Sequence, residues 1–234
     1  MRFANAADGV RKLRIAQLLS VIFAIVTLLT LMLVLPDGNI LKFRFLVILL
    51  GLSALVFSIS ILVLQLTGVS RAKRDERTFR EAQTVLIVSL VIGVFQGIVS
   101  SLGGENSPIY FLLSLAGTAL NIFSMYYIIQ GISNLAVRLK DLELPLAGSR
   151  MLRLYIVVEC SSILISILSK IMPNSDAAAM VLTGLGIGAA VFSLIAAILF
   201  YRYLARAERL LLTKRFDPEP SVYQTAAGQW GRVE

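Results

Sequence analysis

Of the fourteen acidic residues in this chain, Glu159 alone lies inside a long run otherwise free of charge. An ionisable side chain in a segment bound for hydrocarbon is costly, and is therefore a functional candidate: it can hold a cation, relay a proton or pair with a polar group on another helix. At about 100° per residue, Tyr155, Ser162, Ser166, Ser169 and Lys170 share with Glu159 an arc of about 100°, which predicts a polar face along most of that segment. Lys170 follows Glu159 by eleven residues, roughly 16 Å along a helix, so the two cannot pair directly. Asn121, Gln130 and Gln96, in neighbouring apolar segments, are the candidate partners of this face.

Other chemistries find less support. The chain has no histidine, which removes the usual general base and argues against rhomboid-type proteases, PAP2-type phosphatases and histidine-dependent acyltransferases. An intramembrane aspartyl protease needs two carboxylates sharing a proton, yet no apolar segment contains an aspartate. Asp8-Gly9 does not continue into the spaced aspartates of a lipid phosphoalcohol transferase. Gly184, Gly186 and Gly188 lack the preceding strand of a nucleotide-binding loop. Cys160 is the single cysteine, so neither an intrachain disulfide nor a zinc site can form from cysteines; it is expected to pack as a small residue. No enzyme activity, cofactor or metal is expected.

The elements that carry these residues are set by hydropathy. The 234 residues are 57% apolar and 15% charged, against about 25% charged in soluble domains. Uncharged runs long enough for a hydrocarbon core of roughly 30 Å, about 20 helical residues, recur near 15–35, 45–69, 82–101, 109–137, 154–172 and 177–201. Lipid offers no partners for backbone amides and carbonyls, so each run must be a helix. The expected class is an all-α, polytopic membrane protein with six transmembrane helices. The first run is too long for a secretion-signal core, and Leu35-Pro36-Asp37 is no cleavage site, so it reads as a retained anchor.

The net charge of +8 is distributed by topology. Nineteen Lys and Arg residues lie before the first run, between the second and third, between the fourth and fifth, and after the sixth; only Lys42, Arg44 and Lys170 lie on the other side. The positive-inside rule then places both termini in the cytoplasm, in a cell membrane expected to be the prokaryotic cytoplasmic membrane. No nucleic-acid partner is expected. Arg11/Arg14, Arg77/Arg80 and Arg150/Arg153 sit at i, i+3 ahead of the odd-numbered runs, each pair on one helix face. They form a candidate anionic-lipid rim, worth about 1 kcal/mol per charge near the surface.

The same Arg-x-(Leu/Phe)-Arg spacing at three matching positions predicts three parallel helical-hairpin repeats, about 11–74, 77–138 and 150–209, related by an axis along the membrane normal. Dense turn formers at Pro36–Asn39, Gly103–Pro108 and Pro173–Asp176 would close the hairpins on the far side. Mitochondrial carriers are also built from three repeats and six helices, but their Pro-x-(Asp/Glu)-x-x-(Lys/Arg) signature is absent here. Small-residue stripes, Ser89-Gly93-Gly97-Ser101, Gly184-Gly188 and Ala16-Ser20-Ala24, are expected to seat helices against one another within the chain. Residues 1–212 thus form the transmembrane domain and 213–234, rich in Pro, Gly and charge, a flexible cytoplasmic tail. Functionally, the chain is expected to be a non-catalytic membrane-complex subunit or scaffold that binds protein or lipid, with a bilayer, anionic lipid and a membrane protein as its partners. The alternative is a small-solute or ion transporter that uses Glu159 and the polar face of the fifth helix.

Overall fold

The computed structural model describes residues 3–34, 44–104, 107–171 and 176–213. The chain is all-helical: α1 (Ala4–Val34), α2 (Arg44–Ala72), α3 (Thr78–Ser101), α4 (Pro108–Arg138), α5 (Glu143–Ile171) and α6 (Asp176–Thr213). All six are long and apolar enough to cross a membrane. The expected tail beyond Thr213, the first turn cluster, residues 105–106 of the second and 173–175 of the third, Lys42 and the side chain of Lys170 lie outside the described residues.

The helices outrun the apolar segments that announced them. α1 and α5 both begin 11 residues ahead of the expected spans, and α6 continues 12 residues past Tyr201. At 1.5 Å per residue α6 measures about 57 Å, nearly twice the hydrocarbon thickness. The basic segments expected as long connections are therefore helical extensions, and the true links are only 73–77 and 139–142. Local chemistry allows this. Pro145 sits in the first turn of α5, where its missing N–H costs no helical bond. Asp141 caps the same helix, its Oδ1 accepting from the Glu143 and Leu144 amides at 3.0 Å each. Asp75, in the α2–α3 link, reaches across to the start of α1, with Oδ2 accepting from the Ala6 amide at 2.7 Å and Oδ1 from Asn5 Nδ2 at 3.1 Å. Ser107 caps α4 through Oγ to the Tyr110 amide, with Pro108 beginning the helix, and Gly103 takes a positive φ of 76° in the turn before it.

Each helix packs against the next, and α6 returns to α1, so the six close into a ring with a lesser contact between α4 and α6. The buried core sits at the end where α1 starts and α6 finishes. It gathers Ala6, Val10 and Leu13 from α1, Val69 and Ala72 from α2, Phe79 and Ala82 from α3, Ile132 and Leu135 from α4, Leu144 from α5, and Leu204 and Ala207 from α6. Close approach there depends on glycine. A Cβ on Gly9 would lie 2.5 Å from the Gly68 carbonyl oxygen, and one on Gly131 would lie 2.8 Å from the Phe79 ring.

Toward the other end the packing loosens. Among the described side chains, none is buried in 51–67, 87–104, 107–123, 159–171 or 180–195. This corrects the expectation for two small-residue stripes. A Cβ on Gly93, Gly97, Gly184 or Gly188 would meet nothing within 4 Å, so these positions seat no helix of this chain. Small residues lower the cost of approach without supplying attraction; the attraction comes from the large apolar side chains and polar links of the basic end. The α1 stripe does pack, with Ala16 only 1% exposed.

Candidate functional site

Inside the ring, just beyond the packed core, lies a pocket of about 360 Å³ to which all six helices contribute. Its lower wall is apolar, made by Leu13, Leu86, Ile128 and Phe200. Above these come the polar groups: Gln17 and Ser20 on α1, Gln65 on α2, Asn121 and Ser124 on α4, Tyr155 and Glu159 on α5, and Ser193 on α6. Among the described residues, Glu159 is the only ionisable lining residue besides Tyr155, and no Lys or Arg lines the pocket. Tyr155 and Glu159 stand one turn apart on α5, and both line the pocket. Gln17 Nε2 donates to the Ala197 carbonyl at 3.2 Å, tying α1 to α6 at the wall. Ser89 Oγ lies 3.5 Å from Asn121 Oδ1, at the limit of a hydrogen bond.

The structure therefore brings together Glu159, Tyr155 and Asn121 of the expected site. Ser162 and Ser166 are exposed and lie off the pocket. The polar face works for one turn only. Beyond it the hydroxyls of α5 turn back on their own helix, Ser162 donating to the Val158 carbonyl at 3.2 Å and Ser169 to that of Ser166 at 2.8 Å. Periodicity fixes which residues share a face, but the diverging far half takes that face away from its neighbours. Gln96 and Gln130 also lie off the pocket. Gln17, Gln65, Ser124 and Ser193 were not assigned to the site from sequence. Gln17 and Gln65 carried a usable signal, as amides in otherwise apolar runs; the serines did not, since Ser in a membrane helix can always bond its own backbone.

Under the apolar floor runs a band of charge. Arg71 pairs with Asp8, Arg206 with Glu143, and Arg138 with Glu76 at 2.6 Å. Glu76 is 6% exposed and is also contacted by Asn134 Nδ2 and Thr78 Oγ1, at 3.2 and 3.0 Å. A fourth pair joins the ends of the ring: Arg14 on α1 lies 3.1 Å from Glu208 on α6, without the alignment of a hydrogen bond. Of the expected lipid rim, Arg11, Arg77, Arg80, Arg150 and Arg153 are exposed, whereas Arg14 is half-buried and committed to Glu208.

Comparison of the chain with protein-family models, curated proteins and solved structures found no match.

Proposed function

We propose that this chain is a small-solute transporter of a cell membrane, with the central pocket as its binding site and Glu159 as the charged ligand group. The observation that carries this reading is the lining: six helices each place a residue on one cavity, and its polar groups share the wall with a single acid above an apolar floor, the usual build of a small-molecule site. Both termini lie on the cytoplasmic side, by the distribution of Lys and Arg. The packed core and the ion-pair band then close the cytoplasmic end, and the loosely packed half faces outward. The remaining exposed rim arginines meet anionic headgroups.

The ring is read as three parallel hairpin repeats. In its favour, each helix pair ends in an equivalent ion pair, Asp8–Arg71, Glu76–Arg138 and Glu143–Arg206, with chain separations of 63, 62 (76 to 138) and 63 residues. These pairs set the register better than the Arg-x-(Leu/Phe)-Arg motif, which falls out of step in the third copy.

Thiol accessibility tests the transport reading. In a Cys160→Ser background, Ser193→Cys and Ser124→Cys should react with a small membrane-impermeant thiol reagent from either face of sealed vesicles. A pocket reachable from one face only, or from neither, would refute it. The subunit or scaffold reading keeps one specific observation in its favour. Gly184 and Gly188 open, with Ser161 and Leu164, onto an apolar lateral groove between α5 and α6, where a helix of another protein could lie. Under that reading, disulfide trapping from Gly188→Cys captures a partner and the pocket thiols stay unreactive.

A further inference from the structure

Taking the pocket as a transport site, we propose that its ligand is a singly charged organic cation, an amine or quaternary ammonium with an apolar body. Among the described residues the pocket carries one carboxylate and no basic side chain, so an anion would give up hydration and enter with no counter-charge, which is heavily penalised. A divalent metal ion demands more than one carboxylate or a full shell of oxygen ligands. Glu159 has no second acid beside it, and half of the wall is hydrocarbon. A bare sodium or potassium ion would leave most of a cavity of about 360 Å³ unfilled. That volume is at the lower end of the ~300–1,000 Å³ of sites for small organic ligands.

The division of the lining fits such a molecule in one orientation. The cationic head lies against Glu159, with Asn121, Ser124 and Ser193 oxygens available to its N–H or polarised C–H groups. The Tyr155 ring stands one turn from the carboxylate and can add a cation–π contact. The apolar body drops toward Leu86, Ile128 and Phe200, of which Phe200 is 6% exposed and held by stacking on Tyr203 at 6.1 Å. A primary amine and a quaternary ammonium share this chemistry. A neutral molecule of the same shape gains the floor and leaves Glu159 unanswered.

The test uses the full chain in lipid nanodiscs, with phenethylammonium, butyltrimethylammonium and tetraethylammonium as probes and 2-phenylethanol as the neutral counterpart. Calorimetry should show saturable binding of at least one ammonium probe, at least tenfold tighter than 2-phenylethanol. Glu159→Gln, with its thermal midpoint checked, should weaken that binding at least tenfold. A readout that keeps the carboxylate guards against misfolding of that variant: in Cys160→Ser/Ser193→Cys protein, the bound ammonium should slow thiol labelling severalfold while 2-phenylethanol does not. The proposal is overturned if no ammonium probe binds or protects, if the alcohol equals the ammonium, or if a folded Glu159→Gln protein binds unchanged. Labelling from both membrane faces without ammonium protection would defeat the cation alone and leave transport standing, whereas failure of two-sided labelling would defeat transport itself.

Discussion

Gly9→Ala offers a sharp test of how the closed end holds together. The added methyl would lie 2.5 Å from the Gly68 carbonyl oxygen, 2.9 Å from Ala72 Cβ and 3.0 Å from the Ala72 amide. Two of these are backbone atoms, so no rotamer change relieves them and α1 must back away from α2. Reaching ordinary contact at 3.4 Å needs a retreat of about 1 Å. A gap of that size forfeits roughly a quarter to a half of each dispersion contact it opens, and it opens around Ala6, Val10, Leu13, Val69 and Ala72, all at most 4% exposed. Overpacking of this kind costs about 1–3 kcal/mol. Gly93→Ala adds the same methyl where nothing lies within 4 Å, and should stabilise its helix by up to about 1 kcal/mol. The denaturation midpoints of the two purified variants, in the same detergent, should therefore fall on opposite sides of the parent protein. Equal midpoints would mean that α1 and α2 do not approach as described.

Three other changes probe the charge band and the core. Glu76→Ala leaves Asn134 and Thr78 without their shared acceptor and the exposed Arg138 without its partner and should cost about 1–2 kcal/mol, whereas Glu81→Ala at the exposed start of α3 should lie within about 0.5 kcal/mol of the parent; both are read by denaturation midpoint. Asp141→Ala strips the cap from α5 and should cost about 1 kcal/mol, with Asp141→Asn restoring most of it; the same stability assay decides. Phe79→Ala, emptying the fully buried position against Gly131, should cost about 3–5 kcal/mol and expose the basic end to proteolysis.

Much of this molecule was legible from residue types alone. Six helices followed from uncharged length, because lipid leaves the backbone no other way to satisfy itself. Glu159 stood out for the same reason: charge in such a run is rare enough to carry meaning. Its neighbours on the pocket were harder to read, since Ser124 and Ser193 are indistinguishable in sequence from serines that bond their own helix. The helices run on past the apolar runs to Ala4, Glu143 and Thr213, since hydropathy reports where lipid stops and not where the helix does. The glycine stripes misled differently. Gly93 and Gly184 have the spacing of contact residues, yet tight contact is made by Gly9, Gly68 and Gly131, which belong to no such stripe.

A ring of six helices made from one chain has six junctions and only five peptide connections. Those between α2 and α3 and between α4 and α5 are spanned at the basic end by the short links 73–77 and 139–142, which cannot stretch far. The junction between α1 and α6 has no such bridge. Within the polar contacts described, it is held by Arg14 against Glu208 and Gln17 against the Ala197 carbonyl. The molecule is thus a split washer, whose gap can widen without extending any covalent link. The work needed to spread it is set by noncovalent contacts alone: the apolar packing of α1 on α6, and polar links that water, salt or a solute in the adjoining pocket can replace.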